Sequence, residues 1–407
     1  MKSIEILIYV LINNLKFKII MVKSILEQDL YCFSVSYFFS KKFPDSIGEL
    51  VFFDRNNTVY TTEFVEEFKR RLCSISSLKL TSQEFNWVKT NIKYIPEFYW
   101  EWLSQWRFNP EKVNISLDTD GHLHISVIDK MYRMALYEIP ILATLSEMIH
   151  KDDHIIMSDV LDRLEKKIEL SNREQLWFCE FGLRRRFSFN VQDEVVKMIK
   201  EKSIYCTGTS NVYLAMKYNM IPQGTMNHQL CSFMNSMYGY RQGSYVMMEN
   251  WEDVYDSQLG CVLTDTTTSK AFFEQLSRKH AFLFPSFRQD SGDEYKFVNL
   301  MINRLKELGV DPKDKTVVFS NALDMEKFKD ISDYCSGRIK KAIAGIGTSL
   351  TCDIPGIKPA NIVMKLTRCK MNENKLWVPC VKISDDLGKH IGDPKEIQLC
   401  KDILGIE

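Results

Sequence analysis

Trp177-Phe178-Cys179, running into Glu180-Phe181-Gly182-Leu183-Arg184-Arg185-Arg186, is the stretch on which the fold turns. An apolar run of buried-strand length stops at a carboxylate, a glycine and three guanidinium groups. Downstream the arrangement recurs. Ile204-Tyr205-Cys206 leads into Thr207-Gly208-Thr209-Ser210-Asn211, and Met220-Ile221, past Pro222, into Gly224-Thr225-Met226-Asn227-His228. Cys261-Val262-Leu263 ends at Thr264-Asp265, and Phe282-Leu283-Phe284 precedes Arg288-Gln289-Asp290-Ser291-Gly292-Asp293. Val317-Val318-Phe319 ends at Ser320-Asn321-Ala322-Leu323-Asp324, and Ile343-Ala344 at Gly345-Ile346-Gly347-Thr348. Helix-length amphipathic segments separate the runs, which predicts βα units about a parallel sheet. One polar loop after a strand means little. Seven in series, rich in Gly, hydroxyl, Asp, His and Arg, predict an irregular, TIM-like α/β barrel with a polar mouth at the carboxyl ends of its strands.

Upstream the rhythm differs. Leu50-Val51-Phe52-Phe53 reads as a strand, Asp54-Arg55-Asn56-Asn57 as a turn, and residues 63–72 as an amphipathic helix. Trp100, Trp102 and Trp106 fall at roughly helical spacing, a stripe that belongs to core or subunit contact more than to a cofactor. Residues 4–12 are mostly apolar, but Asn13, Asn14, Lys16 and Lys18 break the run. It is too short to span a membrane and no small-residue cleavage site follows. Met21 is therefore the expected start, with 1–20 a non-conforming extension.

The 407 residues are 45% apolar and 26% charged, an ordinary globular composition. Lys plus Arg and Asp plus Glu are 53 each, so no global field attracts nucleic acid or membrane, and any anion site is local. Eleven scattered Cys without a CxxC pair exclude a disulfide framework and point to reduced thiols in a cytoplasmic protein.

Several loops suit phosphate. Gly345, Gly347 and Thr348 place free backbone N–H groups and a hydroxyl at a strand end, as does the weaker Gly208-Thr209-Ser210-Asn211. Neither is a Walker loop. In the Arg184-Arg185-Arg186 cluster at least one guanidinium is expected to face the site, where it pairs bidentately with carboxylate or phosphate. The Arg288–Asp293 loop suits an anion held through Arg288, with an Asp to meet ribose hydroxyls or hydrated magnesium; an ion-paired structural loop is the equal alternative. His228 follows a strand end and Asp265 ends the next apolar run. A carboxylate at one ring nitrogen fixes the tautomer and leaves the other nucleophilic.

Taken together, these motifs resemble the nicotinate phosphoribosyltransferases, type II phosphoribosyltransferases that open the salvage of nicotinate to NAD. The likeness runs from about Met21 to the C-terminus. It includes Asp29-Leu30-Tyr31, Arg107-Phe108-Asn109-Pro110, Glu138-Ile139-Pro140-Ile141-Leu142-Ala143 and Glu180 through Arg185. Gly208 through Asn211, Gly224 through His228, Arg288 through Asp293, Gly345 through Pro355 and Ser384 through Lys389 complete it. The resemblance implies a barrel (137–365) carrying the active site, and an α/β sandwich built from both chain ends (21–136 with 366–407). It also implies a homodimer with shared active sites. Phe181 and Tyr31, the latter from the other subunit, are then expected to sandwich the pyridine ring. Arg288 would clamp the nicotinate carboxylate with Arg184 or Arg185. Asp290 and Asp324 would address ribose and magnesium-bound diphosphate, with Thr225 in the substrate set, and Gly345, Gly347 and Thr348 would cradle the 5-phosphate. ATP would phosphorylate His228, oriented by Asp265. The co-substrates would be phosphoribosyl diphosphate and ATP, with Mg2+ held mainly through diphosphate and Asp290 as the candidate protein ligand.

The chain departs from the family pattern beside the reactive His. Asn227 stands for the usual Ala or Gly, and Gln229 for Glu or Ser, which leaves the strength of ATP coupling open. Asp129-Lys130-Met131 replaces Gly-Pro-Trp, Cys32 a Lys, Ala344 a Phe, and Asn321-Ala322 a more familiar Asp-Asn. Two other readings therefore stand beside the first: a nicotinamide-specific relative, and a catalytically weakened nucleotide-binding descendant.

Overall fold

The computed structural model describes residues 22–386 and 390–406. The expected extension, residues 1–20, lies outside them, as do Leu387, Gly388 and Lys389.

The first three strands are β1 (Ile47–Asp54), β2 (Val113–Leu117) and β3 (Leu123–Lys130). Six short strands follow among helices: β4 (Phe178–Glu180), β5 (Cys206–Thr209), β6 (Cys261–Leu263), β7 (Ser286–Gln289), β8 (Thr316–Phe319) and β9 (Lys341–Ile346). The last are β10 (Ile362–Lys370) and β11 (Val378–Pro379). β1–β3 and β10–β11 form an antiparallel sheet in the order β11-β10-β1-β3-β2, so its strands come from both chain ends. The boundary expected at 365–366 falls inside β10. β3 shows how pattern makes this sheet: Leu123, Ile125 and Val127 are buried, while His124 between them and Ile128 after them are exposed.

β4–β9 form a wholly parallel sheet in the order β5-β4-β9-β8-β7-β6. Its strands are buried on both faces where helices cover them, as β4 shows along its whole length. Of the irregular barrel expected, the structure shows this parallel sheet with its helices; among the described residues it does not close, because the edge strands β5 and β6 do not pair. An irregular segment, 221–225, crosses the gap instead. On one side Thr209 N–H donates to Ile221 O (3.2 Å) and Gln223 N–H to Thr209 O (2.8 Å). On the other only a side chain reaches across, Thr225 Oγ1 donating to Cys261 O at 2.6 Å. Met220-Ile221 is thus not a strand. Ile221 is 66% exposed and Pro222 has no N–H for a ladder. Gly208 permits the crossing, because at its φ of +148° a Cβ would stand 2.0 Å from Ile221 O. Phe282-Leu283-Phe284 is corrected likewise. Ser277 caps a helix (Arg278–Leu283) by accepting from His280 N–H, and the strand starts only after Pro285.

Two features bind the layers. The helix Leu30–Lys42 is buried through its first ten residues, and Leu30 N–H donates to Ser210 O (2.9 Å), pinning its start to the end of β5. Arg186 is fully buried between Glu27 and Glu147, the latter at 2.6 Å. From Arg186 a chain of hydrogen bonds runs through Gln192 (3.1 Å) to Glu180 (3.1 Å), whose carboxylate accepts from Gly182 N–H (2.6 Å). A buried cation thereby holds the loop after β4.

Candidate active site

The carboxyl ends of the parallel strands open into a cavity of about 610 Å³. It is lined by every residue expected at the site except Asp265, which is fully buried behind His228. Tyr31, expected to arrive from a second subunit, lines the cavity of its own chain.

His228 begins the helix His228–Tyr238, whose N-cap is Asn227: the Asn side chain accepts from Leu230 N–H at 3.1 Å. The unusual residue before the His therefore has a capping role. His228 Nε2 lies 2.9 Å from Asp265 Oδ1 and 3.6 Å from Asp290 Oδ2. Two carboxylates on one nitrogen put the proton on Nε2 and leave the Nδ1 lone pair free. Burial, then the nearby Lys382 charge, pull the His228 pKa down to about 4 against the pull of Asp265. The ring is uncharged at neutral pH, as a nucleophile requires. The other Asp265 oxygen accepts from Ser291 Oγ (2.7 Å) and pairs with Lys382 (2.9 Å). Burial opposes that carboxylate's charge, but Lys382, His228 and Ser291 together hold its pKa well below the usual range.

Across the cavity Arg288 donates to Ser320 Oγ (2.8 Å) and Asp290 Oδ1 (2.9 Å), with its guanidinium carbon 5.9 Å from the Phe181 ring centroid. Burial notwithstanding, Arg288 brings the Asp290 pKa down to about 2. Arg184 sits 3.4 Å from Glu138, whose other oxygen accepts from Gln229 Nε2 at 2.9 Å. The second unusual neighbour of His228 thus holds Glu138, not the reactive ring. Arg185 lines the cavity with no carboxylate partner among the described residues. Burial and the Arg184 charge lower its pKa to about 10. Of the three consecutive arginines, two face the site and Arg186 turns into the core.

Gly345, Gly347 and Thr348 close the cavity at the end of β9. Asp324 lines it too, but its carboxylate caps the helix Met325–Cys335 by accepting from Lys327 N–H (2.7 Å). The Ser384-Asp385-Asp386 motif works as a brace. Asp385 accepts from Ser269 N–H (2.9 Å), and Asp386 from Gly292 N–H (3.1 Å), tying the loops after β6 and β7.

His228, Asp265 and Asp290 have ligand atoms within 4.8 Å of one another. They make a poor all-protein magnesium cage, since one donor is imidazole and both carboxylates already face cations. Asp290 Oδ2, bonded by neither Arg288 nor Ser320, offers one oxygen to an ion carried in on diphosphate.

Sequence reasoning passed over Glu138 and Lys365, which line the cavity, and Lys382, which pairs with Asp265 behind His228. Lys365 was detectable as a lone charge inside Ile362-Val363-Met364-Lys365-Leu366. A cation in an otherwise apolar strand is costly unless something uses it.

Comparison with known proteins gives one answer. The nicotinate phosphoribosyltransferase (NAPRTase) family matches residues 176–407, and the NAPRTase N-terminal domain matches 26–146. A nicotinate phosphoribosyltransferase of Chromohalobacter salexigens is 34% identical over 390 residues, 95% of this chain and 99% of that one. One from Methanosarcina mazei is 34% identical over 409 residues, covering 95% and 98%. The crystal structure of nicotinate phosphoribosyltransferase from Porphyromonas gingivalis superimposes with a TM-score of 0.93 at 42% identity, over 95% of this chain and all of the other (100%). That from Vibrio cholerae gives 0.88 at 26% identity, over 95% and 94%.

Proposed function

The chain belongs to the nicotinate phosphoribosyltransferase family of enzymes, and on that premise we propose how its own residues divide the work. The observation that carries the reading is Arg288, a cationic fork anchored over the Phe181 ring. A pyridine stacked on Phe181 presents its ring substituent to that fork, and a carboxylate, unlike an amide, can take two charge-assisted hydrogen bonds from it. Arg185, unpaired among the described residues, assists. The acid is therefore preferred to nicotinamide.

The ring nitrogen of nicotinate attacks the anomeric carbon of phosphoribosyl diphosphate, and the bond to diphosphate breaks with its electron pair leaving on that group. No side-chain nucleophile is needed. Asp290 and Asp324 face the ribose, Thr225 lines the substrate path, and Gly345, Gly347 and Thr348 receive the 5-phosphate. Magnesium, when bound, neutralises the departing diphosphate; Asp290 Oδ2 would hold it from the protein side. ATP phosphorylates His228, and phosphorylation reorganises the site toward tighter substrate binding. The enzyme works in the cytoplasm as a homodimer, with the two chain ends forming one domain and the middle of the chain the catalytic one. No described helix is long and apolar enough to cross a membrane.

Nicotinate turnover with and without ATP tests this reading: formation of nicotinate mononucleotide, raised by ATP, is the expected result. No product with saturating phosphoribosyl diphosphate would sink it. Arg288→Ala is expected to lower kcat/KM for nicotinate by about 100-fold, as loss of a bidentate charged contact does. Arg288→Lys, without the fork, should recover only part. An unchanged preference for nicotinate over nicotinamide in Arg288→Ala would move the carboxylate site elsewhere.

A further inference from the structure

The cations around the cavity fall into two kinds. Arg184 faces Glu138, Arg288 faces Asp290, and Lys382 faces Asp265. Lys365 lines the same cavity from β10 and makes no hydrogen bond or ion pair with a described residue. The carboxylates within its electrostatic reach, Glu138 and Asp290, are already engaged by Gln229 and Arg184 and by Arg288. The helix that begins at His228 packs directly on β10, and His228 and Lys365 line the one cavity. A half-buried cation with three idle donors is costly alone and becomes favourable when an anion arrives.

We infer that Lys365 is the group that receives the phosphoryl oxygens when His228 is phosphorylated. The inference rests on the ATP reading above and adds a residue to it. His228 Nδ1 attacks the terminal phosphorus of ATP, an N–P bond forms, and the P–O bond to ADP breaks with its electron pair leaving on ADP. The Nε2 proton stays between the ring and Asp265, whose carboxylate balances the charge the ring acquires. Lys365 donates to the transferred phosphoryl group and takes no part in covalent change. Consistently, the Lys365 charge is felt at His228, and burial with the Lys382 charge holds the Lys365 pKa down to about 7, poised to rise when an anion binds.

The test is labelling of the whole enzyme with ATP carrying a radioactive terminal phosphate. Lys365→Met should lower acid-labile phosphoenzyme by about 10- to 100-fold, and Lys365→Arg should retain most of it. In wild type, acetic anhydride footprinting by mass spectrometry should show Lys365 reactive in the free enzyme and protected once His228 carries phosphate. Equal phosphoenzyme in Lys365→Met overturns the inference, as does Lys365→Arg failing as badly as Met. So does equal protection by phosphoribosyl diphosphate without ATP, which would make Lys365 a ligand of that substrate. If wild type takes up no acid-labile phosphate, the ATP reading itself falls. The footprint needs no variant, so it decides the matter even if Lys365→Met does not fold.

Discussion

His228→Ala should show no ATP stimulation at all: the ratio of turnover with ATP to turnover without it falls to one, and no acid-labile phosphate appears on the protein. The reason is geometric. His228 is the imidazole lining the cavity, with one nitrogen committed to Asp265 and the other open. No other described imidazole lines the cavity. Asp265→Asn separates the ring from its orienter. An amide can donate to Nε2 and so reverse the tautomer, placing a proton on the nitrogen that must attack; the phosphorylation rate should fall by at least about 10-fold, and losses near 10⁴-fold are known where an orienting carboxylate sets a tautomer. Because burial and Lys382 hold the His228 pKa to about 4, the ring is still uncharged at pH 5.5, where an ordinary His is mostly protonated. ATP stimulation that persists in His228→Ala would remove this mechanism.

Arg186→Met should destabilise the fold by about 3–5 kcal/mol, read from urea unfolding, because it leaves Glu27 and Glu147 buried without their cation. Replacing all three residues (Glu27→Gln, Glu147→Gln and Arg186→Met) should restore most of the loss, since the penalty belongs to the uncompensated charges. Dependence on pH gives a second check. Burial already raises the Glu27 pKa to about 7 even beside Arg186, and it raises that of Glu147. A carboxyl with a folded pKa above its unfolded value binds its proton more tightly in the native state. The stability this confers is present in acid and is lost as pH rises through the folded pKa. Without Arg186 both pKa values rise further, so the gap between variant and wild type should narrow as pH falls from 8 to 5. A gap that widens in acid would mean the network is not held by charge. The same variant should also weaken catalysis, because Gln192 and Glu180 transmit the position of Arg186 to Gly182, next to Phe181.

These residues also show what the sequence could and could not disclose. The strand-end loops were legible because a parallel sheet puts its chemistry at one end, so Phe181, His228, Arg288 and Gly345 could be placed together without a contact being seen. The sorting of Arg184 and Arg185 from Arg186 was not, because neighbouring side chains after a strand diverge according to packing several residues away. Met220-Ile221 misled because a two-residue apolar run carries no period, and Pro222 next to it was the better signal. The parallel sheet stays open at that same place. Lys365 and Lys382 were missed for another reason. Lys365 arrives on β10 of the antiparallel layer and Lys382 from the chain just past β11, and the parallel strands alone reach neither. Gln229 and Asn227 looked like decay of a reactive centre; one fixes Glu138 and the other caps a helix.

The antiparallel sheet has a consequence for the order of events on the ribosome. β1 can pair with β3 as soon as residue 130 is made, through Ile47↔Lys130 to Val51↔Ser126. Its other edge waits for β10, whose register runs from Ile47↔Lys370 to Asp54↔Ile362. For more than half the time of synthesis the growing chain therefore carries an unpaired edge containing Leu50-Val51-Phe52-Phe53, the type of segment that recruits strands from other chains. The strand that finally covers this edge is the one bearing Lys365. Covering that edge thus also delivers a cation to the cavity, and a nascent chain protected from self-association late is also one that becomes competent late.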